Sequence, residues 1–183
     1  MSSHRGPPKC ESLRRELDAA STIIFPSAYL AKLDELKKRF QHSIRVLPEA
    51  AGKIARFNCF AYAFGVWDKP RYERLVDQTN NSALMNSGFI MERLDRGELI
   101  EIDAAEVQPN DVVVYFAGDR LRHAGRIIAV SGKLTIRSKW GGNEVHEHEL
   151  WEVPLEHGSQ VRFFRPPDPK ALLDRLEAAQ KPA

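Results

Sequence analysis

The chain has 183 residues, of which 43% are hydrophobic and 28% charged; the length suits one elaborated domain, and the composition excludes a disordered or fibrous chain. Its 27 Lys+Arg against 25 Asp+Glu leave a formal net charge of +2, too little for an electrostatic nucleic-acid binder. Only two cysteines occur, Cys10 and Cys59, which argues against a disulfide scaffold and leaves both thiols unpaired.

Residues 1–10 form a polar, proline-containing leader, expected to be flexible, without the apolar segment of a secretory signal peptide. No stretch approaches transmembrane length, so the expectation is a cytoplasmic protein with no membrane partner, or one exported by a signal-independent machine. Helical spacing over 11–21 and 27–42 places Tyr29, Leu30, Leu33, Leu36 and Phe40 on one face behind a Ser27 cap, making 11–54 a helical extension. Lys37, Lys38 and Arg39 suit the negative end of that second helix. A loop near 48–52 separates it from Phe57-Asn-Cys-Phe-Ala-Tyr-Ala-Phe-Gly65, which reads as a short helix starting at the cysteine.

Further helices are expected near 70–78 and 81–95, the latter closed by Gly97. From there the periodicity changes. Residues 98–102 alternate weakly, Pro109-Asn-Asp111 is turn chemistry, and Val112-Val-Val-Tyr-Phe116 is a buried-strand run. His123–Val130 and Lys133–Trp140 flank a Ser131-Gly132 turn and predict a hairpin. Val161–Phe164 reads as a last strand and 168–181 as a closing helix. Helices first and antiparallel strands second give an α+β class, with 55–166 as the core and 167–183 as a C-terminal helix.

The chemistry concentrates on Cys59. Asn58 is a good N-cap, so Cys59 falls in the first helical turn, where free amides and the helix dipole favour a thiolate. His123, in Arg-His-Ala-Gly-Arg126, is the histidine placed at the start of a core-like strand, and is the candidate base. Gly125 would let the cysteine helix pack closely. If Val130 pairs with Lys133, Ser138 and Trp140 share a face with His123; Ser138 would accept the ring N–H, Trp140 would cover the imidazole, and Lys139 would point away. A one-residue slip reverses that choice and leaves Asn143 and Glu144 as alternatives.

The order Phe57-Asn-Cys-Phe-Ala-Tyr-Ala, Pro109-Asn-Asp-Val-Val-Val-Tyr-Phe and His123-Ala-Gly-Arg-Ile resembles the papain-like NlpC/P60 and CHAP group over residues 55–140. A closer likeness is to a bacterial group with Asn-Cys, His-x-Gly-Arg and Ser-Lys-Trp-Gly segments. The resemblance implies a papain-like fold, a Cys-bearing helix on an antiparallel sheet, and a hydrolase of the thiol-protease type, with Cys59 and His123 catalytic and no cofactor. Its implied substrate is a peptide or peptidoglycan-like amide or isopeptide bond; a protein deamidase or transferase and an inactive binding module are the alternatives. The nucleophile motif departs from the usual Asp-Cys-Ser-Gly, here Asn58-Cys59-Phe60-Ala61.

The remaining histidines carry less. His146-Glu-His-Glu149 could present two imidazoles to zinc, but lacks further ligands and reads better as a polar surface strand, so no metal is expected. His4, His42 and His157 carry no pattern. Phe57, Phe60, Tyr62, Phe64 and Trp67 read as core and cleft wall rather than a base-stacking platform.

Overall fold

A computed structural model of the chain describes residues 4–5, 10–48, 54–81, 83–142 and 144–180. Of the expected leader, only His4, Arg5 and Cys10 are among them; residues 49–52 of the expected loop and Asn143 also lie outside the described residues. The α+β class is as expected, with six α-helices and eight antiparallel strands among the described residues. The helices are α1 (Glu11–Ser21), α2 (Pro26–Phe40), α3 (Cys59–Ala63), α4 (Pro70–Thr79), α5 (Ser87–Asp95) and α6 (Pro169–Ala179). The strands are β1 (His4–Arg5), β2 (Arg45–Leu47), β3 (Ile100–Ile102), β4 (Val112–Ala117), β5 (Arg120–Ser131), β6 (Lys133–Lys139), β7 (Val145–Glu149) and β8 (Gln160–Arg165). No helix among the described residues is long and apolar enough to cross a membrane.

The strands form one sheet in the order β1-β8-β4-β5-β6-β7-β2, with β3 also paired to β8. Both faces are covered, which is why β4 is a continuous apolar run rather than an alternating one. Val112, Val114, Phe116, Leu121, Ala124, Val145 and Phe164 face a layer made by α3 to α6. Val113, Tyr115, Ile127, Ile136, Val161 and Phe163 face the α1–α2 hairpin through Leu13, Leu17, Leu33 and Leu36. Arg14 fastens that hairpin: its guanidinium is buried and donates to the carbonyls of Val153 (3.0 Å), Pro154 (3.2 Å) and Gly158.

Several local expectations shift. α2 begins at Pro26 behind Phe25, so Ser27 sits in the first turn and not at the cap. α5 is shorter than 81–95 because Asn86 caps it, accepting from Phe89 N at 3.0 Å. The extension 11–54 contributes a strand to the sheet, β2 pairing with β7.

The β5–β6 hairpin pairs Ser131 with Lys133 and Val130 with Leu134, one residue away from the expected register. An irregularity between Ile127 and Ala129 then restores it, so that Arg126 faces Arg137 and Gly125 lies beside Ser138. A second irregularity decides the site. Phe116 pairs with Leu121 and Tyr115 with His123, leaving Arg122 as an extra, exposed residue. A bulge of this kind reverses the alternation of side chains. Leu121 and Ala124 consequently share one face, and His123 lies on the other.

Candidate functional site

Cys59 is the first residue of α3, and Asn58 caps it as expected. With extended backbone (φ −112°, ψ −176°), Asn58 accepts from Ala61 N at 3.0 Å through Oδ1 and donates to Met85 O at 2.8 Å through Nδ2. A cap of this type is worth about 1 kcal/mol. α3 is only five residues long and packs over β5 and β6.

Two opposed influences act on the Cys59 thiol. Burial is the larger and pushes its pKa up to about 11; the backbone amides of Ala124, Phe60 and Cys59 and the charge of Lys139 pull it down. At rest the sulfur is therefore protonated, but it lies among donors that would stabilise a thiolate once formed.

Lys139, like Arg126, is a basic group on this face. It pairs with Val145, which belongs to the α3–α6 side of the sheet, and it is 2% exposed. Its Nζ donates to Gly141 O and lies 5.4 Å from the centre of the Phe57 ring. Among the described residues no carboxylate forms an ion pair with it. Burial lowers its pKa, opposed by the charges of Cys59 and Glu144. A lysine is seldom fully buried unless paired, and a desolvated amine is the form of lysine that acts as a base.

The expected His123 partnership is not formed. His123 is buried on the α1–α2 side, its ring stacked on His157 with centroids 3.9 Å apart and tilted against Tyr115 at 5.6 Å. Gly125 likewise serves the other face: a Cβ there would come 2.5 Å from Ile136 Cγ2, so the glycine admits Ile136, while Ala124 faces α3. Ser138 and Trp140 do share His123's face, but their partners differ from those expected. Trp140 Nε1 donates to Ser138 Oγ at 2.8 Å and its ring stacks on His146 at 4.1 Å. Ser138 Oγ lies 2.8 Å from His148 Nε2, and His148 Nδ1 lies 2.7 Å from Glu149 O. The carbonyl can only accept, so Nδ1 carries the proton and Ser138 donates to Nε2.

His146 and His148 are thus buried rather than surface residues. His146 Nε2 lies 2.7 Å from Tyr29 Oη. With His123 and His157 they form a cluster of neutral imidazoles. Burial is the leading cause in each case; it takes His146 and His157 to about 3 and His148 to about 4, and holds His123 well below the usual histidine value. Among the described residues no group of three or more His, Cys, Asp or Glu side chains is arranged to hold a metal ion.

The groups on the thiol's face are therefore Cys59, at a capped helix start, and Lys139, at the end of β6. Lys139, expected to point away from His123, does so and thereby shares the face of the thiol. Comparison with protein-family models, curated proteins and solved structures finds no match for the chain.

Proposed function

We propose that the chain is a thiol-dependent acyl-transfer enzyme of papain-like ancestry, acting at an amide or isopeptide bond, with Cys59 as nucleophile and Lys139 as its proton acceptor. The observation that carries this reading is a buried lysine, without a carboxylate ion pair among the described residues, on the same face of the sheet as the thiol at the start of α3. Burying an amine without an ion pair costs free energy that packing alone does not require, and such perturbed groups gather where chemistry is done.

The steps follow from the two groups. Neutral Lys139 takes the Cys59 proton, and the thiolate attacks the carbonyl carbon. The amides that point at the sulfur lie close to the developing oxyanion. Collapse breaks the C–N bond, and the Lys139 ammonium gives its proton to the leaving amine. Water then attacks the thioester, transferring a proton to Lys139, and releases the acid and the thiol. A peptide or peptidoglycan-like substrate follows from the family resemblance. Lysis only when the chain is expressed with an export signal would support a wall target; toxicity only when it is retained would support a cytosolic one.

Alkylation of Cys59 by iodoacetamide, followed against pH in a Cys10→Ala background, tests the pair. Lys139→Met should slow alkylation at pH 8 about tenfold and raise the midpoint of the profile. Equal profiles with and without the lysine would sink the proposal. A second reading, a binding module that keeps the scaffold, is favoured by the raised thiol pKa. It predicts slow alkylation indifferent to residue 139.

A further inference from the structure

On the face of the sheet that carries the thiol, cations outnumber carboxylates. Arg126, Arg137, Glu147 and Arg45 follow one another in a single row across β5, β6, β7 and β2, and Lys139 stands in the next row. Glu147 is engaged by Arg45 and by Arg137, the latter at 2.9 Å. Arg126 is left over: among the described residues nothing accepts a hydrogen bond from its guanidinium.

Two features set Arg126 apart from a hydrated surface arginine. Its Nε is sealed from solvent without a partner, which is costly for a charged group. The end of its fork lies against Gly65, just beyond α3, where a Cβ would come 3.1 Å from Nη1 and 3.2 Å from Nη2. Gly65 has a φ of +69°, so glycine is favoured there by conformation as well as by space. Unlike Nε, the two Nη atoms are not sealed, and with no acceptor in the chain they are free to donate outward. A guanidinium held at its stem with both terminal nitrogens free has the geometry that binds a carboxylate through two parallel hydrogen bonds. The chemistry is close by: Arg126 follows Ala124, whose amide acts on the Cys59 sulfur, by two residues of β5, about 7 Å along the strand and on the same face.

We propose that Arg126 recognises a carboxylate of the substrate, so that the amide attacked by Cys59 belongs to a peptide with an acidic group one or two residues from the scissile bond. The role as substrate rests on the thiol chemistry proposed above, whereas the carboxylate site does not. A carboxylate is preferred to a phosphate because a single guanidinium is free. Arg45 and Arg137 are engaged by Glu147, and Lys139 is buried and donates to Gly141 O, so a dianion would keep one charge unmatched.

Alkylation of Cys59, in the full chain carrying Cys10→Ala, by N-bromoacetylglycine and by its uncharged twin N-bromoacetylglycinamide tests the inference. Relative to their rates with free cysteine, the acid should react about tenfold faster than the amide, as expected for a charge-assisted bidentate contact. Arg126→Gln should abolish that preference while leaving the amide's rate within about twofold, and Arg126→Lys should keep part of it. Lys139→Met should slow both reagents and leave the preference in place. The α-amide of N-bromoacetylaspartic acid measures the same preference for a side-chain carboxylate, and the faster of the two acids identifies side chain or chain terminus as the source. N-acetylglycinate should protect Cys59 from the uncharged reagent better than inorganic phosphate does. Equal rates of acid and amide in the folded chain, a preference that survives Arg126→Gln, or stronger protection by phosphate would each overturn the proposal. An Arg126-dependent preference with rates indifferent to Lys139 would refute the thiol reading and leave the carboxylate site standing; lysine-dependent rates without the preference would do the reverse.

Discussion

The ring of His123 stacks on the ring of His157, centroids 3.9 Å apart and planes 14° from parallel, on the face of the sheet opposite Cys59. That contact separates two histidine roles that the linear sequence makes look alike. A base for Cys59 would have to reach the α3 side, where Ala124 stands instead.

The first expectation concerns His123 itself. His123→Phe, which keeps the stack on His157, should leave the pH profile of Cys59 alkylation unchanged while Lys139→Met shifts it. If the His123 variant displaces the profile as far as the lysine variant does, the two-face arrangement is wrong.

Acid should unfold the protein early. His146 and His157 titrate at about 3 and His148 at about 4 in the folded chain, and His123 is also depressed; the unfolded values lie near 6.5. Between those limits the unfolded chain binds more protons. The contribution to stability is thus complete above about pH 6.5 and is lost as pH falls toward the folded values. Each histidine that titrates only when unfolded contributes a slope of about 1.4 kcal/mol per pH unit. Urea midpoints measured from pH 7.5 to 5 should fall steeply, and His157→Phe should make the fall shallower. A flat profile would contradict the buried neutral cluster.

Asn58→Ala removes a cap and leaves Met85 O without its donor. The expected loss is about 1–2 kcal/mol in urea denaturation. Asn58→Asp, which retains the acceptor for Ala61 N but not the donor to Met85 O, should recover part of it. A neutral alanine variant would show that α3 is held without its cap.

Gly125→Ala should be unfavourable by about 1–3 kcal/mol, because its Cβ would meet Ile136 Cγ2 in a packed face. Its effect should appear on the α1–α2 side, as faster amide exchange in β6, rather than as a change in Cys59 reactivity. A midpoint equal to wild type would show that Ile136 has room to move.

Arg14→Met should loosen the hairpin layer. The guanidinium serves three carbonyls from a buried position, and its loss should cost about 3 kcal/mol and expose the 153–158 segment to proteolysis. Unchanged protease resistance would mean that apolar packing alone holds α1.

Much of the architecture was legible because its signals are local. Val112–Phe116 reads as a doubly covered strand from its unbroken apolar run, and Asn58 reads as a cap from its chemistry. Two features were not local. His146 and His148 look like surface residues, since nothing in His-Glu-His-Glu announces that Tyr29 and Trp140 will bury them. The Ser131-Gly132 turn implies Val130 opposite Lys133, whereas the strands there pair one residue out; the irregularity beyond Ile127 restores the expected register, so Ser138 and Trp140 share the face of His123. That Leu121 and His123 face different layers depends on Arg122, and no periodicity argument detects one supernumerary residue.

Arg122 therefore carries a consequence out of proportion to its exposed side chain. It contributes a unit of length, and length fixes parity: with it, Leu121 faces the layer of α3 to α6 while the imidazole at 123 belongs to the hairpin layer. Removing that one residue would force either Leu121 or His123 to exchange layers. Which layer the imidazole at 123 enters is thus written in the length of β5 rather than in any side chain of it.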